Sequence, residues 1–219
     1  VVEAGRAALS QYGAGTASVR FICGTFTIHD EIETAIARLH RTEAALTYVS
    51  CWAANTGLMP TIAGADDVLI SDALNHASLI DGCRMSKAKR HIYPHSDMAA
   101  LEEKLKESQS ARRIFIVTDG VFSMEGSIVN LPEVVKLARA YNAAIILDDS
   151  HGVGVMGKTG RGTAEHFELE HEIDIYTGTL GKALGGAAGG YVAAIRAATR
   201  ATNAAQAFGG TDRRVGVAI

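Results

Sequence analysis

The sequence predicts an α/β protein built on a mostly parallel sheet, and three observations carry that expectation. Short apolar runs rich in β-formers, such as Val68-Leu69-Ile70, Ile114-Phe115-Ile116-Val117 and Ala144-Ile145-Ile146-Leu147, recur along the chain and are too short to be helices. Amphipathic helical stretches alternate with them, as they do where parallel strands are joined by right-handed crossovers. Finally, Asp148, His151 and Lys182 follow the ends of predicted strands, and open α/β sheets hold their ligands beyond the carboxyl ends of the strands.

The whole chain sets outer bounds. Its 219 residues, 47% hydrophobic and 21% charged, suit a globular domain with a sizeable core. A net charge of -3 with scattered Lys and Arg gives no basic stripe, so nucleic acid and anionic membrane are poor partners. No apolar run approaches the ~20 residues of a membrane span, and no basic-then-apolar leader opens the chain. A soluble, cytoplasmic protein is expected. Cys23, Cys51 and Cys83 are odd in number and widely spaced, which fits reduced thiols.

In chain order, Val2 to Ser10 reads as a short helix and Gln11 to Thr25 as a Gly/Ser/Thr-rich loop. Ile32, Ala35, Ile36 and Leu39 recur at helical spacing within a helix from Asp30 to His40, with Glu31 and Glu33 placed in its first turn. Ala44 to Val49 reads as a strand leading into Ser50-Cys51-Trp52, with a helix from about Thr56 to Ala63; a strand-to-helix turn of this kind offers backbone N–H groups to a phosphate. Val68 to Ser71 is a strand followed by a helix to about Arg84, and His91 to Tyr93 another strand, with Ser96 and Asp97 as caps for a helix to Glu107. After the strand Ile114 to Val117, Asn130 is the expected cap of a helix with Pro132 in its first turn. Strands at Ala144–Asp148, Ile173–Tyr176 and Tyr191–Ala194 follow, and Ile195 onward carries no trusted period.

Spacing removes several familiar sites. Gly181-Lys182 is no phosphate-binding P-loop, because Tyr176 replaces its first glycine and Ala183 its Ser or Thr. Ser123 is two residues from neither Gly120 nor Gly126, so a serine-hydrolase elbow is absent. Beyond Asp148, Asp149 and His151 no cluster has metal-ligand spacing, and no metal is expected. Pyridoxal phosphate accounts for more of the residues. It requires a Schiff-base lysine, an acid at the pyridine nitrogen, donors at the phenolic oxygen and a phosphate cradle. Lys182, Asp148, His151 with Ser123, and the Ser50-Cys51-Trp52 turn with Thr179 answer these in order. Each has a plain alternative when taken alone: a solvated lysine, a helix-capping aspartate, a turn that only packs.

Together the residues resemble a known family. Ser18 to Thr25, Ser71 to Ser78, Thr118 to Gly126, Asp148 to Gly152 and Thr177 to Gly190 are similar to the α-oxoamine synthases, fold-type I pyridoxal-phosphate enzymes that condense an amino acid with an acyl-CoA. The resemblance, running from about Ser18 to Tyr191, implies the three-layer αβα large domain of that fold over residues 1–194. It implies that Lys182 is the Schiff-base lysine and base, and that His76 stacks on the cofactor ring. Asp148 would partner the pyridine nitrogen, with Asp149 a structural neighbour. His151 and Ser123 would donate to the phenolic oxygen, while Thr179 and the backbone at Cys51 and Trp52 hold the phosphate. Ser71 to Gly82 and Gly178 to Gly186 look most like the branch that joins glycine to acetyl-CoA, with 8-amino-7-oxononanoate synthases the nearest alternative. A homodimer with sites at its interface is implied too. Family members are roughly twice as long and end in a small domain, so residues 195–219 read as an unmatched tail and the N-terminal part as short. A chain lacking the full active site, or a non-catalytic fragment, is the expectation that competes with activity. A different fold-type I enzyme, an aldolase or transaminase, would lack the Asn75-His76-Ala77-Ser78 and Phe122-Ser123-Met124 context.

Overall fold

The computed structural model describes residues 1–196 together with 198, 199 and 202. The helices are α1 (Val2–Tyr12), α2 (Thr27–His40), α3 (Cys51–Ile62), α4 (Ala77–Met85), α5 (Met98–Glu107), α6 (Leu131–Tyr141) and the short α7 (Thr163–His166). The strands are β1 (Ala44–Tyr48), β2 (Val68–Asp72), β3 (Lys89–Tyr93), β4 (Ile114–Asp119), β5 (Ala144–Asp148), β6 (Ile175–Thr179) and β7 (Gly190–Ala194). They form one sheet in the order β1-β7-β6-β5-β4-β2-β3, in which only β7 runs antiparallel to its neighbours. Most of the tail expected after Ile195 lies outside the described residues.

Both faces of the inner sheet are covered, which is why its inner strands are buried along their length rather than alternating, whereas the edge strand β3 is mostly exposed. Along β4, Ile114 and Ile116 join the core cluster that holds Leu101 and Leu105 of α5, Val134 and Val135 of α6 and Ile36 of α2. Phe115 and Val117 join the opposite cluster with Leu58 and Met59 of α3 and Leu79 of α4. Residues i and i+2 of a strand share a face, so one hexapeptide feeds two layers. The result is the three-layer αβα sandwich.

Local chemistry corrects several boundaries. Helix α2 starts at Thr27, so Asp30 is the acid of its first turn and both Glu31 and Glu33 lie beyond it; the Glu33 Oε1 instead accepts from Arg20 Nη1 at 2.7 Å and from Thr47 N and Oγ1 at 2.8 Å. That carboxylate ties the 13–26 loop to β1. Helix α3 starts at Cys51, five residues before the expected Thr56, because the Ser50 Oγ accepts from Ala53 N at 3.1 Å and caps it there. Ser96 is no cap: it takes a left-handed φ of 56°, and its N–H donates to Asp72, leaving Asp97 to cap α5. Asn130 makes no side-chain cap bond. Strand β6 lies two residues later than expected, since Asp174 is used to accept from Ile145 N at 2.7 Å.

Candidate cofactor site at the carboxyl ends of the strands

The β5 strand ends in Asp148, which is almost fully buried. Its Oδ2 accepts from Asn55 Nδ2 at 2.7 Å and from Cys51 Sγ at 3.5 Å, and its Oδ1 from Ser150 N at 3.0 Å. Burial alone would push this carboxyl up, but the donors from Ser150, Asn55 and Cys51 outweigh it and hold the group below its ordinary value. An anion is thus fixed at the floor of the site. The adjacent Asp149 serves the backbone instead. Its two oxygens accept from Thr163 Oγ1 at 2.6 Å and Thr163 N at 2.7 Å, closing the turn that carries His151.

His151 and Lys182 meet above this floor. Lys182 Nζ lies 2.7 Å from His151 Nε2, and burial together with the Lys182 charge lowers the imidazole below its usual value. In this geometry the ammonium donates to a neutral ring. Lys182 follows β6 in a glycine-rich turn, where Thr179 Oγ1 donates to Gly189 O at 3.0 Å and accepts from Gly181 N at 3.3 Å. The Thr179 hydroxyl therefore shapes the turn that aims the lysine.

On the other side, α3 presents its N-terminus. Ala53 N and Ala54 N find Ser50 Oγ and Ser50 O, and among the described residues the N–H groups of Cys51 and Trp52 have no hydrogen-bond partner. Gly190, at the start of β7, passes so close that a Cβ there would lie 2.2 Å from Cys51 N, so only glycine fits. The Cys51 side chain turns inward to Asp148. Trp52 turns outward and sets its indole edge-on to His76, with ring centroids 6.0 Å apart.

His76 caps α4 and lines a cleft of about 170 Å³ with Asn75, Asp119, Ser123 and His151. Its backbone N–H donates to Asp119 Oδ2 at 2.6 Å. Asn75 stitches the same wall, accepting from Asp119 N at 2.9 Å and donating to Val117 O at 2.8 Å. Farther out, His95 reaches Asp72 Oδ1 and Ser127 Oγ, both at 3.0 Å, and so ties the His76 segment to the loop that bears Ser123.

The structure thus groups His76, Ser123 and His151 around one cleft, joins Lys182 to His151, and puts Asp148 beneath with Cys51 at its side. Sequence reasoning missed Asn55, Ser78 and Asp119. Asp119 carried a visible signal, because Ile114 to Asp119 repeats the pattern of an apolar run ending in aspartate that drew attention to Asp148. Asn55 carried a weaker one, an amide placed one helical turn after Cys51. The residues fit pyridoxal phosphate on structural grounds: a buried carboxylate kept charged by its donors, a lysine beside a neutral imidazole, and free N–H groups at a helix start. Among the described residues, no group of three or more His, Cys, Asp or Glu is arranged to hold a metal ion, and no helix is long and apolar enough to cross a membrane.

The fold is that of the fold-type I pyridoxal-phosphate enzymes. The family model for aminotransferase class I and II matches residues 1–213, and the chain belongs to that family, on its α-oxoamine synthase side. It is 53% identical over 188 residues to the 2-amino-3-ketobutyrate coenzyme A ligase of Escherichia coli K12, covering 85% of this chain and 47% of that one. It is 51% identical over 185 residues to 8-amino-7-oxononanoate synthase 1 of Bacillus velezensis, covering 84% and 47%. The serine palmitoyltransferase of S. paucimobilis, solved as a lysine-to-alanine variant with a bound PLP–myriocin aldimine, superposes with a TM-score of 0.88 at 33% identity, covering 93% of this chain and 51% of that one. The chain spans about half the length of the curated relatives it matches.

Proposed function

We propose that this chain carries the cofactor-binding part of a pyridoxal-phosphate acyltransferase that condenses glycine with acetyl-CoA, giving 2-amino-3-oxobutyrate and CoA. The observation that carries the reading is the convergence of Lys182, His151 and the buried anion Asp148 at the ends of β5 and β6, in a chain of this family. When bound, pyridoxal phosphate supplies an electron sink for the charge left on an amino acid that loses its α-proton. The Asp148 carboxylate would keep a proton on the ring nitrogen. Lys182 Nζ would serve as the covalent anchor and, once displaced by the amino acid, as the base that takes the α-proton. His151 and Ser123 would donate to the phenolic oxygen, and His76 would lie against the ring. The phosphate would fall to Thr179 and to the N–H groups of Cys51 and Trp52.

Glycine and acetyl-CoA are favoured by the likeness of Ser71 to Gly82 and Gly178 to Gly186 to the glycine branch. A second reading, an acyltransferase of the 8-amino-7-oxononanoate synthase type, draws support from the 51% and 53% identities, which separate the two branches by almost nothing. A homodimer is the expected assembly, and the exposed apolar side chains Leu74 and Met124 in the cleft wall, with the exposed Trp52 beside His76, are consistent with a covered site.

The test is to incubate the purified chain with pyridoxal phosphate, reduce with borohydride and map the labelled peptide, then follow thiol release from acyl-CoA thioesters in the presence of glycine. A label confined to Lys182 and glycine-dependent release from acetyl-CoA are expected. Labelling scattered over surface lysines would remove the cofactor site, and faster release from long-chain thioesters would move the reading to the second branch.

A further inference from the structure

Asp148 and His76 approach the site from different strands, yet a buried thread joins them. Asn55, fully buried on α3, donates through Nδ2 to Asp148 Oδ2 at 2.7 Å and to Ser78 Oγ at 3.0 Å. Ser78, 1% exposed, lies with its Oγ 2.7 Å from His76 Nδ1. Its backbone N–H also donates to Nδ1, at 3.2 Å. Hydrogen-bond arithmetic then fixes the direction of every proton. Asn55 Nδ2 has only hydrogens to give, so Ser78 Oγ accepts from it; the Ser78 backbone N–H can only donate, so Nδ1 is an acceptor and the Ser78 hydroxyl hydrogen turns to it. Nδ1 receives two donors, so a neutral His76 must carry its proton on Nε2. Asn55 Oδ1, buried, has no partner among the described residues, so the amide is oriented for the sake of its nitrogen.

We infer that Asn55 and Ser78 are positioning residues that set two things at once: the ionised state of Asp148 and the Nε2–H tautomer of His76. The consequence is a cofactor pocket whose floor is an acceptor and whose His76 wall is a donor, with one carboxamide donating behind both, to Asp148 directly and to Ser78 at the back of His76. Neither residue reaches the cleft itself, since the cleft is lined by His76 and Asp119 and not by Asn55 or Ser78. The inference rests on the cofactor site proposed above for its use, but its geometry belongs to the chain alone.

The test therefore begins without cofactor. In the chain labelled with ¹⁵N-histidine, long-range proton–nitrogen correlation reads the His76 tautomer, and carboxyl ¹³C shifts read the titration of Asp148. The wild type should show a bare Nδ1 and a protonated Nε2. Ser78→Ala should give a mixture of tautomers, and Ser78→Thr, which keeps the hydroxyl, should restore the single form. Asn55→Leu should move both signals, because Asp148 loses a donor and the Ser78 hydroxyl is freed to accept. With pyridoxal phosphate added, Asn55→Leu should weaken binding roughly tenfold or more, the effect of losing one hydrogen bond to a charged group. A wild-type His76 protonated on Nδ1, or Asn55→Leu moving Asp148 alone, would overturn the inference. If Asn55→Leu does not fold, the Ser78 pair still decides it. Failure of the proposed condensation would appear separately, as absent CoA release with the tautomer unchanged.

Discussion

The ends of β4 and β5 make a matched pair. Asp119 and Asp148 are register partners, each closes an apolar strand, and each is buried to within a few per cent. Their charge states nevertheless diverge. Burial pushes Asp119 up to about 8, helped by the charge on Asp148, whereas Asp148 is held below its ordinary value. The difference lies in the donors. The Asp148 oxygens accept from Asn55, Ser150 and Cys51, while Asp119 has the His76 N–H. Two carboxylates this close resist ionising together, and the one with more donors takes the charge. Equal burial therefore yields one anion and one neutral acid side by side at the end of the sheet.

The sharpest way to break this comparison is to remove the anion. Asp148→Asn keeps the shape and some hydrogen bonding but not the charge, so glycine-dependent CoA release should fall by about 10²- to 10³-fold, the scale seen for loss of one electrostatic group aimed at the reacting centre. Asp119→Asn should fall far less. Equal losses in the two variants would mean that the register partners share the role.

The second test is thermodynamic. Asp119 has a folded value near 8 against an ordinary 3.8, so between those values the folded chain binds a proton that the unfolded chain has released. Stability from this group must then decline as pH rises through that window, with a slope approaching ~1.4 kcal/mol per pH unit. Asp148 acts in the opposite sense: its contribution is present above the ordinary carboxylate value and is lost as pH falls through its lowered one. Denaturant melts of wild type and Asp119→Asn between pH 5 and 8 should show the wild type losing ground to the variant as pH rises. Parallel curves would mean that Asp119 is ionised in the fold.

The contrast between these two acids also shows what can be read in the sequence. Strand ends followed by Asp, His or Lys are local signals, so Asp148, His151 and Lys182 could be found, and with them the αβα order of elements. Partnership between strands is not local. Nothing near Asp119 reveals that it will sit beside Asp148, because β4 and β5 are joined by the whole of α6. Asn55 supplies a donor to a carboxylate 93 residues away. The start of α3 is hard to place for a related reason: Ser50 caps it with one side-chain bond, and the small residues after it carry no amphipathic period to mark the turn.

The smallest effect concerns the weakest donor on the charged side of the pair. Cys51 Sγ stands 3.5 Å from Asp148 Oδ2, and burial first, then the Asp148 charge, pushes the thiol up, so it remains a neutral donor and not a second anion. A thiol gives a weak hydrogen bond. Cys51→Ala should therefore cost about 0.5–1.5 kcal/mol of stability, and it should raise the Asp148 titration less than Asn55→Leu does. Cys51→Ser supplies a stronger donor at the same place and should lower that titration again. If Cys51→Ala shifted Asp148 as far as Asn55→Leu, the ordering of donors would be wrong, and the charge on Asp148 would depend on the packing at the start of α3 more than on the count of hydrogen bonds.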